Sequence, residues 1–220
     1  MPDELSVSYE RQRLEMVTWQ IEKRGIRDAK LLQAMRSVPR HLFVPPEYRG
    51  SAYEDYPLPI GFGQTISQPY IVALMTELLH LTGEETVLEV GSGSGYQAAV
   101  LACLARQVHT FEFIPGLAER ARQVLSELGL ANVTVHPGDG SGGLPEYAPY
   151  QGILVTAAAP AAPEPLLKQL APDGRLVLPA GGRYSQVLQV WRPVENGFEH
   201  EVITSVAFVP LRGKWGWKEL

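Results

Sequence analysis

Cysteine is almost missing: Cys103 stands alone in 220 residues. One thiol can form no intramolecular disulfide and cannot assemble a cysteine-rich zinc site. Positive charge is also short. Nineteen Lys and Arg against 24 Asp and Glu leave a formal net charge of −5. Nucleic-acid binding draws on clustered cations that displace counterions from phosphates, and this chain has no surplus, so no nucleic-acid partner is expected. No apolar run approaches the roughly 20 residues that span a bilayer. Met1 to Arg13 holds no apolar signal-peptide core. The expectation is a cytoplasmic chain with no membrane partner. The five histidines (His41, His80, His109, His136, His200) are dispersed, with no His-Glu-x-x-His pair, so no metal is expected. No Gly-x-Ser-x-Gly elbow occurs, which speaks against a nucleophilic serine. Internal repeats, low-complexity tracts and flexible linkers are absent as well.

What is there fits a globular protein. Apolar residues make up 45% and charged residues 20%, enough for one substantial core in one large domain or two small ones. Residues 9–24 place Leu14, Val17, Trp19 and Ile21 at roughly helical spacing, with Gly25 as the stop. Trp19 reads as core. Asp28 can cap a short second helix carrying Leu31, Leu32 and Met35. Five prolines between Pro39 and Pro59 keep residues 37–62 mostly non-helical. Residues 1–66 therefore read as an N-terminal helical extension or lid, and 67–220 as the main domain, packed into one compact unit. A helix starts at Pro69. β-Branched runs at 86–90, 107–112, 132–136, 151–156 and 174–178 then alternate with helical stretches at 95–105, 115–129 and 163–171. Such alternation predicts a parallel sheet with right-handed crossovers. Segments 185–192 and 201–209, joined by a turn at 193–200, predict an antiparallel C-terminal hairpin. The fold class is α/β: a doubly wound, mostly parallel, seven-stranded Rossmann-like sheet, which binds ligands at the carboxyl ends of its strands. Cys103 reads as a buried packing residue within a helix.

The sharpest local signal is Val87-Leu88-Glu89-Val90-Gly91-Ser92-Gly93-Ser94-Gly95-Tyr96, a strand, a Gly-x-Gly-x-Gly turn and a helix. Glycines let the backbone turn tightly and a ligand approach closely. The plain alternative is a structural turn. A dinucleotide fingerprint would want its third glycine where Tyr96 stands. The spacing, with Glu89 at the strand end, instead resembles the first motif of class I methyltransferases that use S-adenosyl-L-methionine. Two more acidic residues sit at strand ends. Glu112 can accept hydrogen bonds from ribose hydroxyls; the alternative is a solvated charge. Asp139, beside Gly140, can read an adenine edge; the alternative is an ordinary turn.

Longer segments carry a closer resemblance. Pro39 to Pro45, Thr65-Ile66-Ser67-Gln68-Pro69-Tyr70, Val87 to Gly95, Gly138-Asp139-Gly140, Val155 to Pro160, Leu176 to Pro179 and Phe208-Val209-Pro210-Leu211 together resemble the protein-L-isoaspartate O-methyltransferases. The match runs from about residue 9 to residue 211, in the family's order. It implies a cofactor, S-adenosyl-L-methionine (leaving as S-adenosyl-L-homocysteine). It implies isoaspartyl-containing proteins and peptides as partners, and an enzyme that esterifies the isoaspartyl α-carboxylate and so starts repair through a succinimide. It implies that Gln64, Thr65, Ile66, Glu89, Gly91, Ser92, Gly93, Ser94, Gly95, Glu112, Phe113, Asp139 and Gly140 surround the cofactor. Thr156, Ala157 and Ala158 lie where the acceptor enters, although an Ala-rich stretch there can equally be packing. Ser67 is the residue nearest the chemistry. Sequence alone favours Ser67 as the cap of the helix from Pro69; the resemblance favours an active serine. Tyr70 and Arg212 stand where relatives carry other residues, so no contact is carried over to them. A carboxylate acceptor is already ionised at neutral pH, so no general base is needed. A chain of this size can act as a monomer. Three other readings stand beside this one: a methyltransferase for small carboxylate or hydroxyl acceptors, an NAD-dependent oxidoreductase, and a non-catalytic binding module.

Overall fold

The computed structural model describes residues 4–218. Helix α1 (Glu4–Glu15) runs into a π-helical turn, Met16–Ile21, and a 3-10 turn, Glu22–Arg24, before Gly25 ends it at φ +107°. The wider π turn shifts the register of the apolar stripe. Val17 and Ile21 are buried, while Trp19 is 59% exposed, with the Lys23 ammonium 3.5 Å above its ring. Trp19 is thus a surface residue, contrary to the core reading. Helix α2 (Ala29–Ser37) starts where Asp28 Oδ1 accepts from the Lys30 and Leu31 N–H groups.

The proline-rich stretch is not featureless. It holds two 3-10 turns, Arg40–Phe43 and Pro46–Ser51, and then a small antiparallel hairpin of β1 (Leu58–Gly61) and β2 (Gln64–Ile66). Helix α3 (Pro69–Glu77) follows directly.

The main sheet comprises β3 (Thr86–Val90), β4 (Gln107–Glu112), β5 (Val133–Pro137), β6 (Tyr150–Val155), β7 (Leu170–Gly182), β8 (Ser185–Val194) and β9 (Gly197–Val206). Its order is β5-β4-β3-β6-β7-β8-β9. The first five strands are parallel; β8 and β9 run antiparallel to their neighbours. This is the expected seven-stranded layout, with β9 on the edge. Helices α4 (Tyr96–Ala102), α5 (Pro115–Glu127) and α6 (Glu164–Leu167) fill the crossovers.

Three boundaries differ from the sequence reading. The stretch 163–171 keeps only four helical residues, because the chain enters β7 at Leu170, ahead of Pro172, which could not continue a helix. The C-terminal hairpin turns within two residues, Glu195 and Asn196. Helix α4 stops at Ala102, which leaves Cys103 exposed rather than packed.

Side chains alternate across the strands and feed two cores. Val87, Val108, Leu154 and Val177 point into one, with α4, α5 and the N-terminal residues Met16, Ile21, Leu31 and Met35. Leu88, Val90, Ile153, Val155 and Leu176 point into the other, closed by Leu166 and Leu167 of α6. The N-terminal third shares its core with the sheet.

Candidate active site

The chain leaves β3 to one side through β4 and β5, then returns to β6 on the other. The carboxyl ends of these strands diverge there and leave a crevice. The loop after β3 is tied down first. The N–H groups of Gly91 and Ser92 both donate to the Phe111 carbonyl of β4, at 2.8 and 2.9 Å. Gly91 has φ +103°, and a Cβ on it would run into the Thr156 hydroxyl. That hydroxyl donates to the Gly91 carbonyl, which joins the loop to the end of β6. Only glycine suits both the angle and the contact. Gly93, at φ +53°, donates its N–H to Glu112 Oε2 at 2.7 Å, and Ile114 N–H donates to Oε1 at 2.9 Å. Two backbone donors therefore fix the Glu112 carboxylate at the end of β4, and its remaining lone pairs stay available.

Glu89 has a different place. It is completely buried below the loop, where Thr110 Oγ1 donates to its Oε2 at 2.5 Å. Burial pushes its carboxyl up to about 8, against the smaller opposing effect of that hydrogen bond. Its Oε1 and the buried Ser92 Oγ have no hydrogen-bond partner among the described residues.

The opposite wall is the turn from β2 into α3. Gln64, Thr65, Ile66 and Ser67 line the cleft there. Gln68, not Ser67, is the cap residue of α3, and no side chain caps that helix. The cap reading of Ser67 therefore fails. The floor comes from Thr156 and Ala157 after β6, and from Val209 to Arg212 of the C-terminal segment. The cleft is open to solvent, and the empty space within it together with its mouth amounts to about 780 Å³. Its charged lining residues are Glu112 and Arg212, and Arg212 makes no ion pair among the described residues.

Of the residues singled out by sequence, Gln64, Thr65, Ile66, Ser67, Gly91, Ser92, Gly93, Ser94, Glu112, Phe113, Gly140, Thr156 and Ala157 line this one cleft. Four do not. Glu89 lies under the floor of the loop. Gly95 starts α4 at φ +90° and faces α5, where a Cβ would come 3.2 Å from Ala121 Cβ. Asp139 turns to the C-terminal segment: its Oδ1 accepts from Ser141 N–H at 2.9 Å and its Oδ2 from Lys214 N–H at 2.8 Å. Ala158 is buried and pairs through its backbone with Val209 and Leu211, and Trp217 Nε1 donates to its carbonyl. Sequence reasoning missed Val72, Val90, Tyr96, Gln97, Phe111, Ile114, Gly138 and Val209–Arg212 in the lining. Most are apolar and carry no chemical signature, although Val90, Tyr96, Gly138 and Val209 to Leu211 lie within motifs already quoted and Arg212 adjoins one. Tyr70, outside the lining, stacks under the Arg24 guanidinium at 3.6 Å.

The family model described as Protein-L-isoaspartate(D-aspartate) O-methyltransferase matches residues 11–216. The chain belongs to this family. It is an O-methyltransferase. A relative of that name from Methanoregula boonei is 56% identical over 207 residues, 94% of this chain and 95% of the relative. One from Methanospirillum hungatei is 54% identical over 208 residues, covering 94% and 96%. Among solved structures, a protein-L-isoaspartate O-methyltransferase superposes with a TM-score of 0.84 at 29% identity, over 92% of this chain and 67% of that one. A Plasmodium falciparum structure described as a protein-L-isoaspartate O-methyltransferase, in complex with S-adenosyl-L-homocysteine, superposes with a TM-score of 0.79 at 25% identity, covering 91% and 98%. Among the described residues no helix is long and apolar enough to cross a membrane, and no cluster of three or more His, Cys, Asp or Glu could hold a metal ion.

Proposed function

We propose that this cleft is where the methyl group of S-adenosyl-L-methionine passes to the α-carboxylate of an L-isoaspartyl residue in a damaged protein or peptide. The observation that carries the reading is the convergence of the glycine loop, the anchored Glu112 carboxylate and the Ser67 turn on one cleft. The cleft's chemistry fits the cofactor: Gly91 to Ser94 present backbone in the lining, Glu112 offers free carboxylate lone pairs, and the buried Ser92 Oγ has no hydrogen-bond partner among the described residues.

When bound, the cofactor supplies an already activated sulfonium methyl group. The chain's own task is then to hold and orient. The loop from Gly91 to Ser94 backs the methionine portion. Glu112 accepts from ribose hydroxyls, with Phe113 and Gly140 beside the nucleoside. Gln64, Thr65 and Ile66 close over it. Glu89 acts from below as a buttress of the loop, with Gly95 setting the approach of α4 to α5. Ser67 places its hydroxyl by the acceptor carboxylate, as a donor that positions the oxygen without taking its charge. Thr156 and Ala157 border the acceptor, while Asp139 and Ala158 serve through the C-terminal segment they fasten. Alignment of oxygen, methyl and sulfur supplies the catalysis, and no general base is required.

The ester product closes to a succinimide more readily than the free acid, because methoxide leaves better than hydroxide. Repeated cycles return part of the isoaspartate to aspartate. Residues 1–66 act as an extension whose last residues, Gln64 to Ile66, close over the cofactor, and residues 67–220 carry the rest of the cofactor and acceptor site. The enzyme works as a cytoplasmic monomer.

Ser67→Ala tests the acceptor assignment. Turnover is expected to fall by about tenfold or more, with the S-adenosyl-L-homocysteine dissociation constant within about twofold of wild type. Wild-type turnover would remove Ser67 from the chemistry.

A further inference from the structure

One buried charge in the N-terminal third has no place in the scheme above. Arg40 is fully buried, at 0% exposure. It makes no ion pair among the described residues. The carboxylate nearest in influence, Asp55, is already paired with Arg24 at 2.8 Å. A guanidinium in such a place is costly, and an apolar side chain of similar size would fill the space more cheaply. Its bonds show what the charge is held for. Nε donates to the Ala52 carbonyl at 2.7 Å, and Nη2 donates to the Ser67 carbonyl at 2.8 Å. The guanidinium carbon lies 4.8 Å from the centroid of the Tyr96 ring. Nη1 has no hydrogen-bond partner among the described residues. Ser67 and Tyr96 both line the cleft.

The planar fork thus ties the Ser67 turn to a carbonyl 15 positions earlier in the chain. Holding the Ser67 carbonyl fixes a peptide plane, because the bond to Gln68 does not rotate. That plane includes the Ser67 Cα, from which the side chain projects. Gln68 adds a second tether, donating from Nε2 to the Asp55 carbonyl at 3.0 Å. The positive charge has no ion pair of its own, only the partial support of Asp55, Tyr53 and Tyr96, and it lies behind this turn in a poorly polarisable interior where its field is weakly screened. An anionic acceptor in the cleft would feel it.

We propose that Arg40 is a positioning residue for the acceptor: its buried guanidinium clamps the Ser67 turn and biases that side of the cleft toward a carboxylate. The proposal rests on the acceptor lying at Ser67. The two effects separate in kinetics. The clamp sets alignment and so kcat; the charge sets acceptor affinity and so KM.

The test compares Arg40→Met and Arg40→Lys in the full chain, using an isoaspartyl peptide as acceptor. S-adenosyl-L-homocysteine titration and a thermal melt report cofactor binding and folding. Arg40→Met is expected to bind the cofactor product within about twofold of wild type, with kcat lowered and acceptor KM raised by about tenfold each. Arg40→Lys keeps the charge but cannot span both carbonyls. Its KM should return to within about threefold of wild type while kcat stays at least about fivefold low. If Arg40→Met fails to fold, Arg40→Lys carries the test alone, and an unchanged kcat overturns the proposal. A folded Arg40→Met with wild-type kcat and KM also overturns it. So does a loss of activity that merely follows lost cofactor affinity. Wild-type turnover in Ser67→Ala would instead sink the acceptor assignment itself. An impaired Ser67→Ala beside unimpaired Arg40 variants would sink only the role of Arg40.

Discussion

Replacing Glu112 with alanine removes a carboxylate on which two backbone groups depend. Its oxygens accept from Gly93 N–H at 2.7 Å and Ile114 N–H at 2.9 Å, and the residue is only 6% exposed. A hydrogen bond to a charged group contributes about 1.5–3 kcal/mol, and a buried donor left unpaired costs about 1–3 kcal/mol. The cleft is open to solvent, so water can satisfy part of what the alanine leaves behind. The net loss of fold stability is expected to be about 2–4 kcal/mol. In a domain of this size each kcal/mol lowers the melting temperature by about 2–4 °C, which gives a drop of about 5–15 °C. Affinity falls for a second reason. If the same carboxylate accepts two ribose hydroxyls, losing both bonds removes about 3–6 kcal/mol, which is at least about a hundredfold in Kd. A thermal melt followed by calorimetric titration with S-adenosyl-L-homocysteine reads both quantities. Glu112→Gln, which keeps the shape and one acceptor oxygen, should fall between. A folded Glu112→Ala protein with a Kd within about threefold of wild type would refute the ribose assignment and leave Glu112 as a brace for the glycine loop.

Gly91→Ala should destabilise by about 2–4 kcal/mol, because alanine is strained at φ +103° and its Cβ meets the Thr156 hydroxyl; an unchanged urea midpoint would contradict the glycine requirement. Glu89 gives a pH signature. Its folded-state carboxyl is raised to about 8 by burial, so its contribution is fully present below its unfolded value near 4.5 and is lost as pH rises through 8. Wild type should therefore lose stability relative to Glu89→Gln between about pH 4.5 and 8, by an amount of order a few kcal/mol. Chemical denaturation at several pH values reads the difference, and parallel curves would place Glu89 in a solvated setting.

The sheet was legible because its strands are short runs rich in β-branched and apolar residues that end on or just before a glycine or acidic residue. Val87 to Val90 and Val108 to Glu112 are examples, and their register follows from two-sided burial. Glu112 could be placed because it ends β4 beside the glycine loop after β3, where Gly93 and Ile114 hold it. Asp139 and Ala158 could not. Asp139 is held by Lys214, 75 residues away, and Ala158 by Val209, Leu211 and Trp217. No local pattern announces such pairing. Trp19 failed because a π turn breaks the 3.6-residue period on which the reading rested. The β1–β2 hairpin was hidden by Pro57 and Pro59, which argue against strands unless they sit at an edge. Arg40 stood in the sequence only within the Pro39 to Pro45 segment, with no role of its own; its packing against Ser67 and Tyr96 gives it meaning.

The central claim is that the acceptor is an isoaspartyl carboxylate. It is tested most directly by methyl transfer from radiolabelled S-adenosyl-L-methionine to two synthetic peptides that differ only in one isoaspartyl or aspartyl linkage. Base-labile label on the isoaspartyl peptide alone is the predicted result. Equal label on both peptides, or none on either while the cofactor product still binds, would contradict it.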